Sequence, residues 1–319
     1  MRVLKTIKSE HIIAIDIETV RVANTFDDLD EGTQGAWEYK NKQDGEIPDF
    51  KELSDLWIRT SSLYAEFSKV CAVSIAFLHE DNLYCREFYG TDEKVILEEL
   101  AKSLNKMSTK GKKEGIIYRL AGHASKYFDY PFLSKRYLIN GMDIPELLDS
   151  TGLKPWEQNN LCTNELWKAG GTGAGSSLQA LCNVFAVPVS KVDLVGDQVG
   201  TVYYEGGLDR IGKYCSYDTV ATFNIIRKWK KESIFQFDDV VYVPMEEGSK
   251  EEKVGLLEQI ANSKEILPEQ VDLLLEQAKP MSEDEREKFI DILSACLLDT
   301  DKKELDVDEQ LLIDKIRGI

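Results

Sequence analysis

Two carboxylates close an apolar run at His11-Ile12-Ile13-Ala14-Ile15-Asp16-Ile17-Glu18-Thr19. Side chains on a strand alternate, so Ile13, Ile15 and Ile17 share one face while Ile12, Ala14, Asp16 and Glu18 share the other. Both faces are apolar until the C-terminal end, the mark of a central strand covered on both sides. Two acids aimed the same way from such a strand can hold a cation or move protons. Acid-x-acid triplets are common in a chain with 57 acids in 319 residues; roughly ten arise by chance. The pair therefore gains meaning only from partners. Asp129, in Tyr127-Phe128-Asp129-Tyr130-Pro131-Phe132-Leu133, stands where a helix begins, since Pro131 is tolerated only in a first turn. Its plain alternative is a charge favoured by the helix dipole. Tyr214 and Asp218 lie four apart on a later helix, about 6 Å along one face, and can reach one point. A tyrosine stacked on a helix surface is the plain alternative there.

The elements that must position these residues follow from periodicity. After the first strand, a polar segment with Gly32, Gly35, Gly45 and Pro48 and two helical runs reads as an insertion packed beside the site. Residues 69–78 form a strand buried on both faces, and residues 83–89 alternate as its hairpin partner. Asp92 opens a helix with Val95, Ile96, Leu100 and Leu104 as its stripe, and residues 116–120 form a short strand running into Gly122-His123. The glycine-rich stretch 169–175 lacks the lysine and feeding strand of a phosphate loop and reads as the lead-in to a helix capped by Ser176-x-x-Gln179. Residues 206–229 form a long helix packed through Ile211, Cys215, Thr222, Ile225 and Trp229.

Composition bounds the function. There is no apolar run of membrane-spanning length and no signal-peptide core at the N-terminus, so the chain is expected in the cytoplasm. Six scattered cysteines and three histidines suggest neither a zinc site nor a disulfide framework. A formal charge of −18 argues against a long basic groove for duplex DNA. Residues 245–319 hold 21 acids and 10 bases, so −11 lies there and −7 in the first 244 residues. The spacing predicts three domain-level segments: 1–243, a hydrophilic linker over 244–252, and an acidic helical domain over 253–319. Helical stripes fall around Val254, Leu257 and Ile260, around Val271, Leu274, Leu275 and Ala278, around Phe289, Ile292, Leu293 and Cys296 behind a Ser282-x-x-Glu285 cap, and around Leu311 and Ile316. A calcium loop over 299–310 is excluded by Lys303, Glu304 and Gln310 at its key positions. The acidic helices are expected to dock on the first domain or on another protein.

Together, Asp16-Ile17-Glu18-Thr19, Phe128-Asp129-x-Pro131-Phe132-Leu133 and Tyr214-Cys215-Ser216-Tyr217-Asp218 resemble, in order and spacing, the DEDD superfamily of 3′-5′ exonucleases, in the branch whose third motif is Tyr-x-x-x-Asp. The stretches 63–70 and 196–199 add a resemblance to stand-alone exonucleases related to the proofreading domain of family B DNA polymerases, over about residues 10–232. The resemblance implies an α/β, ribonuclease-H-like mixed sheet with helices on both faces. It implies two Mg²⁺ or Mn²⁺ ions held by Asp16, Glu18, Asp129 and Asp218, with Asp16 bridging them, Glu18 and Asp218 completing one site and Asp129 supporting the other. Tyr214 would orient the attacking water, and Thr19, His123 and Phe128 would touch the substrate strand. One departure is Ala124, where these enzymes usually carry asparagine.

Physical chemistry supports the metal independently. Carboxylates gathered within about 5 Å repel by about 3 kcal/mol per pair at an effective dielectric near 20, which calls for cations or protons. An all-oxygen donor set selects hard ions. The implied activity is release of nucleoside monophosphates from single-stranded ends, DNA ahead of RNA given the polymerase resemblance, with RNA left open. A non-catalytic module of the same fold is the rival, and its expected mark, a lost ligand, is missing.

Overall fold

The first strand organises the sheet as its sequence requires. In this computed structural model, which describes residues 1–154, 157–189 and 194–245 and, further on, 271, 274–275, 278, 283–297 and 307–317, β1 (Ile12–Arg21) is buried along nearly its whole length. It pairs antiparallel with β2 (Ser68–His79), which pairs antiparallel with β3 (Asn82–Tyr89). On its other side β1 runs parallel to β4 (Arg119–Gly122), and β4 to the two-residue β5 (Leu161–Cys162). β6 (Val241–Pro244) adds parallel to β3. The order is β5-β4-β1-β2-β3-β6, with β2 alone running against the rest. This mixed sheet with covered faces is the ribonuclease-H-like arrangement.

The two faces of β1 part as the alternation demands. Ile13, Ile15 and Ile17 pack beneath α3 (Glu93–Glu114) and α4 (Asp129–Ile139), in a core with Leu97, Leu100, Tyr130 and Tyr137. Ile12 and Ala14 pack against Val220, Phe223 and Ile226 of α8 (Leu208–Lys230). Asp92 caps α3 through the backbone N–H groups of Lys94 and Val95, and Gly115 ends it in the left-handed conformation that glycine adopts without strain. The insertion carries α1 (Glu31–Lys40) and α2 (Phe50–Thr60), joined by the fully buried Trp37 and Trp57. Their rings meet edge to face at 5.2 Å, and their indole N–H groups donate to the carbonyls of Leu53 and Ala23.

Several boundaries shift from the expected ones. The strand read over 116–120 begins at Arg119, with Ile117 71% exposed, because only from Arg119 does the chain find β1 as a partner. The cap of α6 (Leu178–Phe185) is Ser177, whose side chain accepts from Ala180 N, so the Ser176–Gln179 box does not form. Short helices α5 (Thr163–Trp167) and α7 (Val199–Tyr204) precede α6 and α8 respectively. In α3, Leu97 is buried where Val95 is only partly so.

The chain divides into two compact units, Met1–Met245 and Glu246–Ile319. In the second, α9 (Glu283–Leu297) and α10 (Val307–Arg317) pack through Leu293, Leu297, Leu312, Ile313 and Ile316, with Leu274 and Ala278 in the same cluster. Arg317 pairs with Glu287 at 2.7 Å. Ile292 and Leu311, expected inside, are each 52% exposed; Ile290 and Leu312 take their places. The stripe around Val254, the cap at Ser282 and most of the excluded calcium loop lie outside the described residues, as do the side chain of Cys296 and most of the expected linker. Among the described residues no helix is long and apolar enough to cross a membrane, and Cys71, Cys85, Cys162, Cys182 and Cys215 are free, buried thiols.

Candidate active site

β1 outruns its parallel neighbour. Pairing with β4 stops at Ala14–Ala121, so β1 extends past its parallel neighbour at the carboxyl ends of the two strands, the edge at which open α/β sheets place their ligands. Asp129 stands in the first turn of α4. The backbone N–H groups of Ile17, the residue between Asp16 and Glu18, and of Asp129 itself lie near enough to its carboxylate to lower its pKa against the effect of burial. The turn into α4 is tight: a Cβ on Gly122 would stand 2.5 Å from the Ser125 Cβ and 3.0 Å from the Ile15 carbonyl oxygen. Tyr130 ties α4 to β5 through its hydroxyl, which donates to the Leu161 carbonyl at 2.9 Å.

β1 also changes register at the site. A bulge between Glu18 and Thr19 shifts its pairing, Glu18 opposite Ala72 and Thr19 opposite Val70, and such bulges re-aim side chains. From the other face α8 brings Tyr214 and Asp218, near enough that the phenol lowers the pKa of the carboxyl and the carboxylate raises that of the phenol. The helix is fixed beneath them: Cys215 Sγ donates to the Asp16 carbonyl at 3.4 Å, and Ser74 of β2 bonds Thr219.

The electrostatics follow from burial. Glu18 and Asp129 are 8% and 3% exposed, while Asp16, Tyr214 and Asp218 keep partial access to solvent. Desolvation raises all four acids. Asp16 lies well above the carboxylate range, pushed further by Asp129, Glu18 and Asp218. Glu18 is raised likewise, with Asp218 and Asp129 adding. Asp129 is raised to about 7 and Asp218 to about 6, the latter held down by the Tyr214 phenol. Tyr214 is pushed far up by burial and then by Asp218, Glu18 and Asp16, so its hydroxyl stays protonated. Three separate elements thus bring four acids close enough to perturb one another. Among the described residues no three acid, histidine or cysteine side chains converge in ligating geometry. The donor set itself, four carboxylates and no thiolate or imidazole, suits a hard divalent cation.

The other expected contacts are engaged inside the protein. Thr19 Oγ1 donates to the Ser62 carbonyl at 2.8 Å. His123 lies 2.9 Å from Thr163 Oγ1 through Nδ1 and 2.8 Å from the Ser176 carbonyl through Nε2; a carbonyl only accepts, so Nε2 carries the proton. Phe128 packs on Phe132 at 5.3 Å. Beside it Tyr127 is 64% exposed, with the Lys168 ammonium 5.9 Å from its ring. Ala124 has φ 61°, a left-handed conformation that asparagine tolerates better than alanine.

Sequence reasoning missed the group that holds α4. Glu93 accepts from Arg136 Nε at 2.8 Å and Nη2 at 2.5 Å, from Asn140 Nδ2 at 2.9 Å and from the Val70 N–H at 2.6 Å. In sequence Glu93 is one more acid in a first turn, and nothing local marks it.

No curated protein matches the chain. A family model described as a predicted 3′-5′ exonuclease related to the exonuclease domain of PolB matches residues 61–234. The match takes in Asp129, Tyr214 and Asp218 and begins after β1, whose Asp16 and Glu18 are joined to it by the pairing of β1 with β2 and β4 and by the charge effects among the four acids. Covering more than half of the sequence, it establishes that the chain belongs to this family of predicted 3′-5′ exonucleases related to the exonuclease domain of PolB.

Proposed function

We propose that the chain is a two-metal 3′-5′ exonuclease of the Tyr-x-x-x-Asp type that releases nucleoside monophosphates from single-stranded DNA. The observation that carries the proposal is the gathering of Asp16, Glu18, Asp129 and Asp218, from a strand and two helices, at the carboxyl end of the sheet, with all four pKa values raised. Raised acids mark a site that gains from added positive charge. These four residues would hold Mg²⁺ or Mn²⁺, which supplies charge neutralisation and activates water for in-line displacement. In the reaction, water adds to the terminal phosphorus, the bond from phosphorus to the 3′ oxygen breaks, and that oxygen takes up a proton.

Tyr214 is a donor and not a base, because its hydroxyl holds its proton at neutral pH. Its role is to orient the water beside Asp218. Thr19 and His123, their polar atoms used within the protein, shape the loops along which the strand lies. Phe128 and the exposed Tyr127 offer ring surface to a terminal base. The acidic second unit, remote in sequence from every motif, is a docking module for protein and not a clamp for a polyanion, since its field repels phosphate.

The test is to incubate the full chain with single-stranded DNA and RNA of one sequence, in Mg²⁺, in Mn²⁺ and in excess chelator, and to identify the products. Nucleoside monophosphates that form only with metal, faster from DNA, are expected. Undiminished hydrolysis in chelator removes the metal mechanism, faster RNA cleavage reverses the substrate assignment, and no hydrolysis under any condition favours a non-catalytic module.

A further inference from the structure

A second cavity, of about 250 Å³, lies between α3 and the sheet. Phe77 and Arg86 on its floor stand opposite Ile13 and Ile75 in the sheet register. They therefore share the face of Ile13 and Ile15, and the level of Ile13 is about 17 Å along β1 from Glu18 at about 3.4 Å per residue. This cavity is separate from Asp16 and Glu18 in both face and level.

Its chemistry is the reverse of the acid cluster's. Arg86 Nη1 donates to Ser103 Oγ at 2.9 Å, but Arg86 Nε is buried without a hydrogen-bond partner. A buried, unpaired donor is costly, the more so on a charged group. Lys106 and Lys110 extend the same stripe of α3, three and seven residues beyond Ser103, and line the rim. None of these three cations forms an ion pair among the described residues. Glu10 is the one acid in the lining, so three positive charges face one negative in a chain of net charge −18. Met107, Phe77 and Tyr118 supply apolar and aromatic wall. A guanidinium held by Ser103 and lying 5.4 Å from the Phe88 ring centre, with two ammonium groups that form no ion pair among the described residues, suits an anion that carries a flat or apolar body. At about 250 Å³ the cavity lies just below the usual range of small-ligand sites, so it takes a body no larger than a mononucleotide and excludes a strand.

We propose that this cavity binds a small phosphate ester with an aromatic body, a nucleoside monophosphate being the one the exonuclease itself releases. Identifying the ester as the product rests on the exonuclease reading; the anion chemistry does not. Arg86 would set its guanidinium charge against the phosphate, Lys106 and Lys110 would close over the remaining charge, and Tyr118 and Phe77 would receive the base.

The experiment is calorimetric titration of the full chain, in chelator so that the acid cluster carries no metal, with 2′-deoxyadenosine 5′-monophosphate, with deoxyadenosine and with inorganic phosphate. One saturable site per chain is expected for the nucleotide, with nucleoside and phosphate each at least about tenfold weaker. Lys106→Glu/Lys110→Glu, at exposed positions and without risk to folding, should weaken the nucleotide about tenfold or more, and Arg86→Met likewise. No saturable binding of the nucleotide, or binding unchanged in the double lysine variant, overturns the proposal. Turnover of a labelled strand is measured on the same samples: hydrolysis without nucleotide binding rejects the pocket alone, and nucleotide binding without hydrolysis rejects the product assignment while leaving the anion site.

Discussion

Replacing Arg136 by leucine should be the most damaging single change outside the acid cluster. The guanidinium and the Glu93 carboxylate are 9% and 7% exposed. Arg136 also donates from Nη1 to the Ala65 carbonyl at 2.6 Å, and Glu93 holds the Val70 N–H besides. One ion pair thus joins α4, which carries Asp129, to α3, to β2 and to the end of the insertion. Removing one partner strands the other charge in a site closed to water, a loss of about 3–5 kcal/mol. For a unit of this size about 1 kcal/mol moves the melting temperature by about 2–4 °C, so a fall of about 6–20 °C is expected from Arg136→Leu, and a similar one from Glu93→Leu. The double variant removes both charges and leaves the neutral Val70 N–H and Ala65 carbonyl, each costing about 1–3 kcal/mol. Its loss should therefore fall short of the sum of the single losses by at least about 1 kcal/mol. Arg136→Lys, which keeps the charge and loses the fork, should lie between. Tryptophan fluorescence follows this unit alone, because all five tryptophans precede residue 245. Single variants within about 1 kcal/mol of wild type, or a double variant equal to the sum, would refute the reasoning.

The raised acids set a pH dependence with a definite sign. An acid whose pKa is higher in the folded chain makes the fold bind more protons than the unfolded chain, so the metal-free protein loses stability as pH rises. For Asp129 the window runs from its unperturbed 3.8 to about 7, a shift worth on the order of 4 kcal/mol. Melting curves in chelator should show that loss, Asp129→Asn should flatten it, and Mn²⁺ should restore stability above neutrality; a slope unchanged in Asp129→Asn contradicts the assignment. Tyr214→Phe should cut turnover about 10²- to 10⁴-fold and leave a measurable remnant, while Asp218→Ala leaves none; equal and total loss, with both variants folded, would mean that the phenol does more than orient. Ala124→Asn should raise stability by up to about 1 kcal/mol by easing the left-handed backbone at φ 61°, read by thermal melting; a loss would show that the turn depends on the small side chain.

Much of the site was legible because its signals are local. The alternation of β1 separated Ile13, Ile15 and Ile17 from Ile12 and Ala14 before any contact was known, and the structure gives those groups to opposite faces. Pro131 announced the first turn of α4, and the i, i+4 spacing announced that Tyr214 and Asp218 reach one point, where each shifts the pKa of the other. What was hidden depends on distant partners. The bulge after Glu18 arises from the register of β1 against β2, and a single strand carries no mark of it. The Glu93–Arg136 pair joins residues 43 apart, and each looks like an ordinary surface charge on its own helix. Ser176 and Ser177 are equally good caps by type; the turn that presents Ser177 to the Ala180 N–H decides between them. The usual asparagine at the position of Ala124 invites a reading through the substrate, whereas the backbone angle gives a conformational reason for it.

The central claim is that the four acids remove nucleotides from a 3′ end. The measurement that tests it most directly follows a 5′-labelled single strand incubated with Mn²⁺ and the full chain, beside Asp16→Ala and Asp218→Ala variants confirmed as folded by tryptophan fluorescence. The wild-type chain should produce a ladder of labelled strands, each shorter by one nucleotide, and both variants should leave the strand intact. Immediate appearance of a labelled mononucleotide, cleavage in the interior of the strand, or a ladder that persists in either variant would contradict the account.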